Sequence, residues 1–181
     1  QRLTLGEHAK QEGIKFVGDQ GCANQRANLN ERVLFGANGW ARTFWPKSRG
    51  DLYLLIDDGW DVPSSANPAN GGIAQFGSCV PDQNRFASFA GTPTERLRKV
   101  NEAAKSCGWR GIGIWVSCQT PGERSLKSGE CLSVADSRKA WANRMKISKD
   151  AGVEYWKVDW GVHGGDPMYR IMMCQVRDAV Y

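Results

Sequence analysis

Three carboxylates and one lysine stand where the sequence changes from apolar to polar, and they are the residues best suited to chemistry. Asp57 and Asp58 end one apolar run, and Asp159 ends another. Lys157 precedes Asp159 by two positions, so on a β-strand the two side chains project from the same face. A neighbouring ammonium group favours the ionised carboxylate. Asp159 is therefore predicted to be a nucleophile or an electrostatic stabiliser, with a structural ion pair as the alternative.

Asp57, Asp58 and Trp60 indicate how a ligand would be held. Carboxylates accept hydrogen bonds from sugar hydroxyl groups in pairs, and an indole ring packs against the apolar face of a sugar. Adjacent residues on a strand point in opposite directions, so one aspartate is expected to face the site while its neighbour braces a loop. The alternative is an aspartate that caps a helix and is followed by a turn.

Four apolar, β-rich runs carry these polar residues and are predicted to be strands. They cover residues 14–20, 52–60, 112–119 and 153–161. Near-continuous apolar runs are typical of strands buried on both faces, as in a parallel sheet covered by helices. Their polar ends, which also include Asp19 and Gln119, meet at the edge where α/β proteins bind ligands.

Capping residues predict the helices between these strands. Thr92 and Glu95 form a capping box, a second helix covers residues 133–151, and Asp166 begins a third. Residues 61–91 are rich in Asn, Pro, Gly and Ser and are predicted to form a long polar loop. The buried stripe of the third helix is predicted to consist of Ile171, Met172, Val176 and Ala179.

The alternation of helices and strands predicts an α/β fold with right-handed crossovers. The pattern alone leaves two architectures open. A doubly wound sheet fits a chain of 181 residues. A (β/α)8 barrel needs about 250 residues, so four strands would make up about half of one.

Composition excludes several classes of partner. The net charge is +5, but the basic residues are scattered among acidic ones, without the basic and aromatic cluster typical of a nucleic-acid surface. The sequence lacks an apolar run of about 18 residues, so a membrane span is not expected. Its glycine-rich runs do not complete a phosphate-binding fingerprint, which argues against a nucleotide enzyme.

The cysteines and histidines do not predict a metal site. The six cysteines form no C-x-x-C pair, and neither His8 nor His163 has a second ligand at metal spacing. Cys118 and Cys131 flank a loop and can either form a disulfide in an oxidising compartment or remain free thiols. A secreted or periplasmic location is favoured, although the residues do not fix the compartment.

Four motifs, in a fixed order, resemble those of a known enzyme clan. They are YLLIDDGW at residues 53–60, Arg85-Phe86 ahead of a helix, GIGIW at residues 111–115 and YWKVD at residues 155–159. Together they resemble the α-galactosidase clan of retaining glycoside hydrolases, which includes melibiase-like and raffinose-synthase-like proteins. The resemblance covers roughly residues 50 to 165 and leaves residues 1–50 without an assigned motif.

The resemblance implies the N-terminal half, about four βα units, of a (β/α)8 catalytic domain that cleaves α-linked galactose or a related sugar with retention. Asp159 matches the nucleophile of the clan, and Lys157 matches the lysine that contacts both sugar and nucleophile. Asp57 and Asp58 match the pair that holds sugar hydroxyl groups. Trp115 and Gln119 would line the pocket. Glycosidic cleavage by carboxylates needs no cofactor, and the expected partner is an oligosaccharide or glycoside.

The resemblance also predicts that one catalytic group lies outside this sequence. In the clan the acid/base aspartate comes two strands after the nucleophile, and the sequence ends at Tyr181. We therefore expect residues 1–181 to be a partial catalytic domain, completed by C-terminal sequence. Gly59 stands where many relatives carry cysteine, so hydrolysis and transglycosylation both remain open.

Two other functions are compatible with the same residues. The first is a carbohydrate-binding protein that keeps Asp57, Asp58 and the tryptophans but does not turn substrate over. The second is a small doubly wound nucleotide or flavin protein. Sugar binding that is insensitive to Asp159→Asn would favour the first, and bound cofactor absorbance would favour the second.

Overall fold

A computed structural model describes residues 26, 28–63, 66, 75–123 and 131–181 of the chain. Strands and helices alternate from residue 53 onward, which confirms the predicted α/β class. In chain order the elements are α1 (Glu31–Phe35), α2 (Trp40–Thr43), a 3-10 turn (Arg49–Asp51), β1 (Tyr53–Ile56), α3 (Pro93–Ser106), β2 (Gly111–Val116), α4 (Val134–Asp150), β3 (Tyr155–Val158) and α5 (Pro167–Val180).

The three strands form a parallel sheet in the order β1-β2-β3. Three of the four predicted strands are thus confirmed, each shorter than its apolar run. The fourth, residues 14–20 with Asp19, lies outside the described residues. The strand order runs to the next position without reversal. Crossovers of the usual right-handed sense would put α3 and α4 on the same face of the sheet.

The sheet has one buried face and one more open face. Leu54, Ile56 and Ile114 are buried in a core shared with α3 and α4. On the opposite face Leu55 and Tyr155 are 36% and 43% exposed. All six residues of β2 are buried because β2 is paired on both sides, which explains why its sequence is almost continuously apolar.

The long helices begin at their predicted capping residues. The Thr92 hydroxyl accepts from the N–H of Glu95, whose carboxylate in turn accepts from the N–H of Thr92. The Ser133 hydroxyl caps α4 by accepting from the N–H of Asp136, and Asp166 caps α5 by accepting from two backbone N–H groups. These side chains satisfy donors that the first helical turn leaves unpaired, so the sequence places the helix starts well.

The predicted buried stripe of α5 is partly wrong. Ile171 and Ala179 are exposed, because the face of α5 that contacts the rest of the protein is rotated away from them. The stripe that is buried follows the i, i+3, i+4, i+7 spacing of a helix. It consists of Tyr169, Met172, Met173 and Val176.

The disulfide between Cys118 and Cys131, which the sequence left open, is not formed. Cys118 and Cys131 are both free cysteines in this structure. Cys118 is fully buried, and this burial raises the pKa of its thiol to about 11. Within the described ranges, Cys118 therefore behaves as a small apolar residue of the core.

Candidate functional site

Four of the predicted site residues meet at the carboxyl edge of the sheet. Asp57 directly follows β1, and Asp159 directly follows β3. Lys157 is the register partner of Trp115 on the neighbouring strand β2. Register partners share a face of the sheet, and Asp159 returns to that face two residues after Lys157. The strand order and register thus bring the four side chains together.

Lys157 lies between the two aspartates. Its Nζ is 3.0 Å from Asp57 Oδ2 and 3.6 Å from Asp159 Oδ2. Burial works to lower the pKa of Lys157, but the hydrogen bond and charge of Asp57 and the charge of Asp159 raise it overall. The ammonium therefore stays charged at neutral pH and keeps two carboxylates of like charge close together.

The Asp159 carboxylate contacts a second donor besides Lys157. The indole N–H of Trp115 donates to Asp159 Oδ2 at 3.0 Å. This hydrogen bond and the charge of Lys157 hold the pKa of Asp159 below its usual value, against a smaller opposing effect of burial. The side chain remains 45% exposed. An ionised, oriented and accessible carboxylate can act as a nucleophile or can stabilise a cation.

The adjacent aspartates after β1 point to different places, as the alternation predicts. Asp57 faces the site, where its Oδ1 also accepts the N–H of Asp58 at 2.8 Å. Asp58 turns into the protein and forms a buried ion pair with Arg26, with 2.7 Å between Nη2 and Oδ2. Asp58 therefore does not take the sugar-holding position expected for it. It braces the chain after β1 instead.

Trp60 and Gln119 are also turned away from the open site. Both side chains are fully buried. The Trp60 indole donates to the carbonyl of Trp115 at 2.7 Å, so it has no ring face available to a sugar. The Gln119 amide donates to the carbonyl of Phe76 and accepts the N–H of Val162. The partners of both side chains are distant in sequence, so strand alternation could not predict these positions.

Trp115 reaches the site only through its N–H group. Its side chain is 1% exposed and is enclosed by two aromatic rings. The ring centroids of Phe76 and Trp160 lie 6.1 and 5.3 Å from that of Trp115, and they are 4.9 Å from each other. That Trp115 lines a ligand pocket stays a prediction, and the structure presents the N–H edge of the indole, not a ring face, to Asp159.

A buried pair that the sequence analysis did not identify joins the loops after β2 and β3. The Glu123 carboxylate lies 3.1 Å from Nε2 of His163 and accepts from the N–H and hydroxyl of Thr120. Burial would raise the pKa of Glu123, but these hydrogen bonds lower it overall. The His163 ring stacks on Tyr169 with 3.8 Å between centroids. A carboxylate and histidine 40 residues apart give no local sequence signal.

Asp61 is a second buried carboxylate that carried no functional prediction. Its Oδ2 accepts the N–H groups of Gly77 and Cys79 and the hydroxyl of Ser78. Burial is the main cause that raises the pKa of Asp61 to about 6. Asp61 thus anchors the segment that follows Phe76, one of the two rings packed against Trp115, and is itself buried.

The described residues contain no group of three or more His, Cys, Asp or Glu side chains that could hold a metal ion. No helix in those same parts of the chain is long and apolar enough to cross a membrane.

Comparison with protein-family models, with curated proteins and with solved structures gives no match for this chain.

Proposed function

We propose that this protein is a retaining glycoside hydrolase that acts on α-galactosides or related α-linked sugars, with Asp159 as the nucleophile. The observation that carries the proposal is the environment of the Asp159 carboxylate. It is nearly half exposed, it accepts the N–H of Trp115, and it lies beside the ammonium of Lys157. These contacts favour the charged form that nucleophilic attack requires.

In the proposed reaction a carboxylate oxygen of Asp159 attacks the anomeric carbon, and the bond from that carbon to the leaving oxygen breaks. Water then cleaves the glycosyl ester and releases the sugar with retained configuration. Asp57 and Lys157 would bind hydroxyl groups of the sugar beside the nucleophile. Two carboxylates around one ammonium leave the site with a net negative charge, which favours the positive charge that develops on the sugar ring.

A retaining mechanism also needs an acid/base carboxyl about 5 to 5.5 Å from the nucleophile. Asp57 is a poor candidate, because it is already the closest partner of Lys157. The resemblance to the α-galactosidase clan would put this group two strands after Asp159. We therefore assign only the nucleophile of the catalytic pair, Asp159.

We also propose that β1, β2 and β3 are consecutive strands of a (β/α)8 barrel. A doubly wound sheet reverses its strand order at the point where ligands bind. Here the order is β1-β2-β3 without reversal, and the candidate site spans all three strands at their carboxyl ends. The partly exposed Leu55 and Tyr155 lie on the sheet face that would become the barrel interior. This arrangement supports the barrel over the doubly wound alternative.

The test is cleavage of 2,4-dinitrophenyl α-galactoside, whose leaving group departs without an acid. The wild-type protein should release dinitrophenolate, and Asp159→Asn should release it at least about 10³-fold more slowly. Asp178→Asn is the matched control, because this exposed carboxylate at the end of α5 pairs only with its neighbour Arg177 in the described structure. It should retain wild-type activity.

Each result of this assay separates the candidates. Equal release by wild type and Asp159→Asn would exclude Asp159 as the nucleophile. A folded wild-type protein that binds galactosides but releases no dinitrophenolate, with binding unchanged in Asp159→Asn, would instead indicate a carbohydrate-binding protein. The appearance of galactosylated acceptors among the products would identify transglycosylation.

A further inference from the structure

We propose that Trp115 is a positioning residue for Asp159 and that Trp60 holds Trp115 in place, so that the two indoles form a brace behind the nucleophile. We call this pair the tryptophan brace. The inference rests on the proposed function, because it assigns a role to residues that support the proposed nucleophile. It also gives Trp60 a different role from the sugar-stacking one that its sequence context indicates.

The brace is a chain of two hydrogen bonds across the sheet. The Trp60 N–H donates to the carbonyl oxygen of Trp115 at 2.7 Å, and the Trp115 N–H donates to Asp159 Oδ2 at 3.0 Å. The chain begins in the loop after β1, crosses β2 and ends just after β3. An indole has a single donor and no acceptor, so each of these contacts fixes one direction of its ring.

The surrounding rings restrict the Trp115 side chain further. Phe76 packs against it edge-to-face at an interplanar angle of 72°, an arrangement that aromatic pairs favour, and Trp160 packs against it at a tilted 58°. Both Trp60 and Trp115 are essentially inaccessible to solvent. A buried donor that lost its acceptor would carry the full cost of desolvation, so the Trp115 N–H is committed to Asp159.

The hydrogen bond from Trp115 affects both the ionisation of Asp159 and the orientation of its carboxylate. The hydrogen bond from Trp115 is the largest single influence on the pKa of Asp159, and it acts to lower it, in the same sense as the charge of Lys157. The bond also holds Oδ2 at a fixed point, although the carboxylate is otherwise nearly half exposed. Fixing the direction of a nucleophile contributes to the rate because attack requires close alignment.

The experiment replaces the donor with an apolar ring. Trp115→Phe should raise the pKa of Asp159. This pKa is measured by an NMR titration of the carboxyl carbon in protein labelled at aspartate. With 2,4-dinitrophenyl α-galactoside, kcat should fall about 10- to 100-fold while KM changes by less than about threefold. The acid limb of the kcat profile should move to higher pH, because Asp159 becomes protonated more easily.

Trp141→Phe is the matched control. Trp141 lies on α4 and is also fully buried, and its N–H donates to the Tyr169 hydroxyl at 2.9 Å rather than to Asp159. The control loses one buried indole hydrogen bond, as Trp115→Phe does, and it should leave the pKa of Asp159 and kcat unchanged. An equal effect of both variants would mean that Trp115 acts only through stability.

Trp60→Phe is a second variant that tests the tryptophan brace if Trp115→Phe does not fold. It removes the bond to the Trp115 carbonyl and should shift the pKa of Asp159 and kcat in the same direction, by a smaller factor. Wild-type values of both quantities in either folded variant would overturn the brace. If wild type shows no turnover that depends on Asp159, the proposed function fails, and the NMR titration still decides whether Trp115 controls Asp159.

Discussion

At the scale of single residues, the site is a balance of charges. Lys157 contacts both Asp57 and Asp159, so one cation screens two anions. The local excess of one negative charge suits a reaction in which the substrate becomes positive. Lys157 therefore has two effects: it keeps Asp159 ionised, and it keeps the two carboxylates from repelling each other.

Replacing Lys157 tests this balance. In Lys157→Met the pKa of Asp159 should rise, because the neighbouring ammonium is lost and Asp57 is left unscreened. The acid limb of the activity profile should therefore move to higher pH, and kcat/KM for an activated galactoside should fall about 10²-fold. The measurement is the pH dependence of kcat/KM.

Lys146→Met is the control for Lys157→Met. Lys146 forms an exposed pair with Asp150 one helical turn away on α4, with 2.8 Å between Nζ and Oδ2. Such surface ion pairs contribute little to stability, so the activity of Lys146→Met should stay within about twofold of wild type at every pH. A Lys157→Met profile that superimposes on the wild-type profile would contradict the proposed role of the lysine.

At the scale of elements, the site depends on how the loop after β3 meets the loop after β2. The N–H of Cys118 donates to the carbonyl of Trp160 at 2.7 Å, and the N–H of His163 donates to the carbonyl of Cys118 at 3.1 Å. Gly161 lies between these two contacts with a φ of 151°. A Cβ atom there would be 2.7 Å from the carbonyl carbon and oxygen of Cys118. The close approach is possible only because Gly161 has no side chain.

Gly161→Ala should consequently destabilise the protein. Both the backbone conformation and the contact with Cys118 oppose a side chain, so the free energy of unfolding should fall by at least about 2 kcal/mol. Gly165→Ala is the control, since a Cβ atom on that exposed glycine would have no neighbour within 4 Å. Its effect should stay within about 0.5 kcal/mol. Denaturant titration of both variants makes the comparison, and equal stabilities would refute the close-packing explanation.

The secondary structure follows from local sequence, whereas part of the site does not. Apolar runs and capping residues suffice to predict the described strands and the long helices, because both are local signals. Asp57, Lys157 and Asp159 were predicted to be site residues from strand ends and spacing, and they do meet. Alternation predicts that one of the two aspartates turns away from the site, but the partners of Asp58 and Trp60 could not be predicted in this way. These partners, Arg26 and Trp115, are distant in sequence, so the decisive contacts are tertiary.

At the scale of the whole molecule, the buried carboxyl of Asp61 links stability to pH. Asp61 Oδ2 accepts three hydrogen bonds, whereas Oδ1 has no partner among the described residues. The pKa of Asp61 is about 6 in the folded protein and near 3.8 in the unfolded chain. The folded state therefore binds the proton more tightly, and this contribution to stability is present below pH 4 and lost as pH rises through 6.

Asp61→Asn should remove this dependence. An amide oxygen can replace Oδ2, and an amide nitrogen at Oδ1 displaces no donor. Relative to wild type, the variant should gain stability between pH 4 and pH 7, by up to about 3 kcal/mol. The measurement is the free energy of unfolding across this range, with the exposed Asp51→Asn as the control. A difference between variant and wild type that is constant with pH would argue against a buried titrating Asp61.

Asp57, Trp115 and Lys157 form a row, in which Trp115 and Lys157 are register partners on β2 and β3 and Asp57 directly follows β1. Because successive side chains alternate between faces, sliding one strand by a single position would send its residue to the opposite side of the sheet. A misregistered molecule would then lack the row entirely, instead of carrying a weakened copy of it. An intact row therefore indicates that the strands are paired in the correct register. A reagent that labels Asp159 only in the assembled row would count the correctly paired molecules in a preparation.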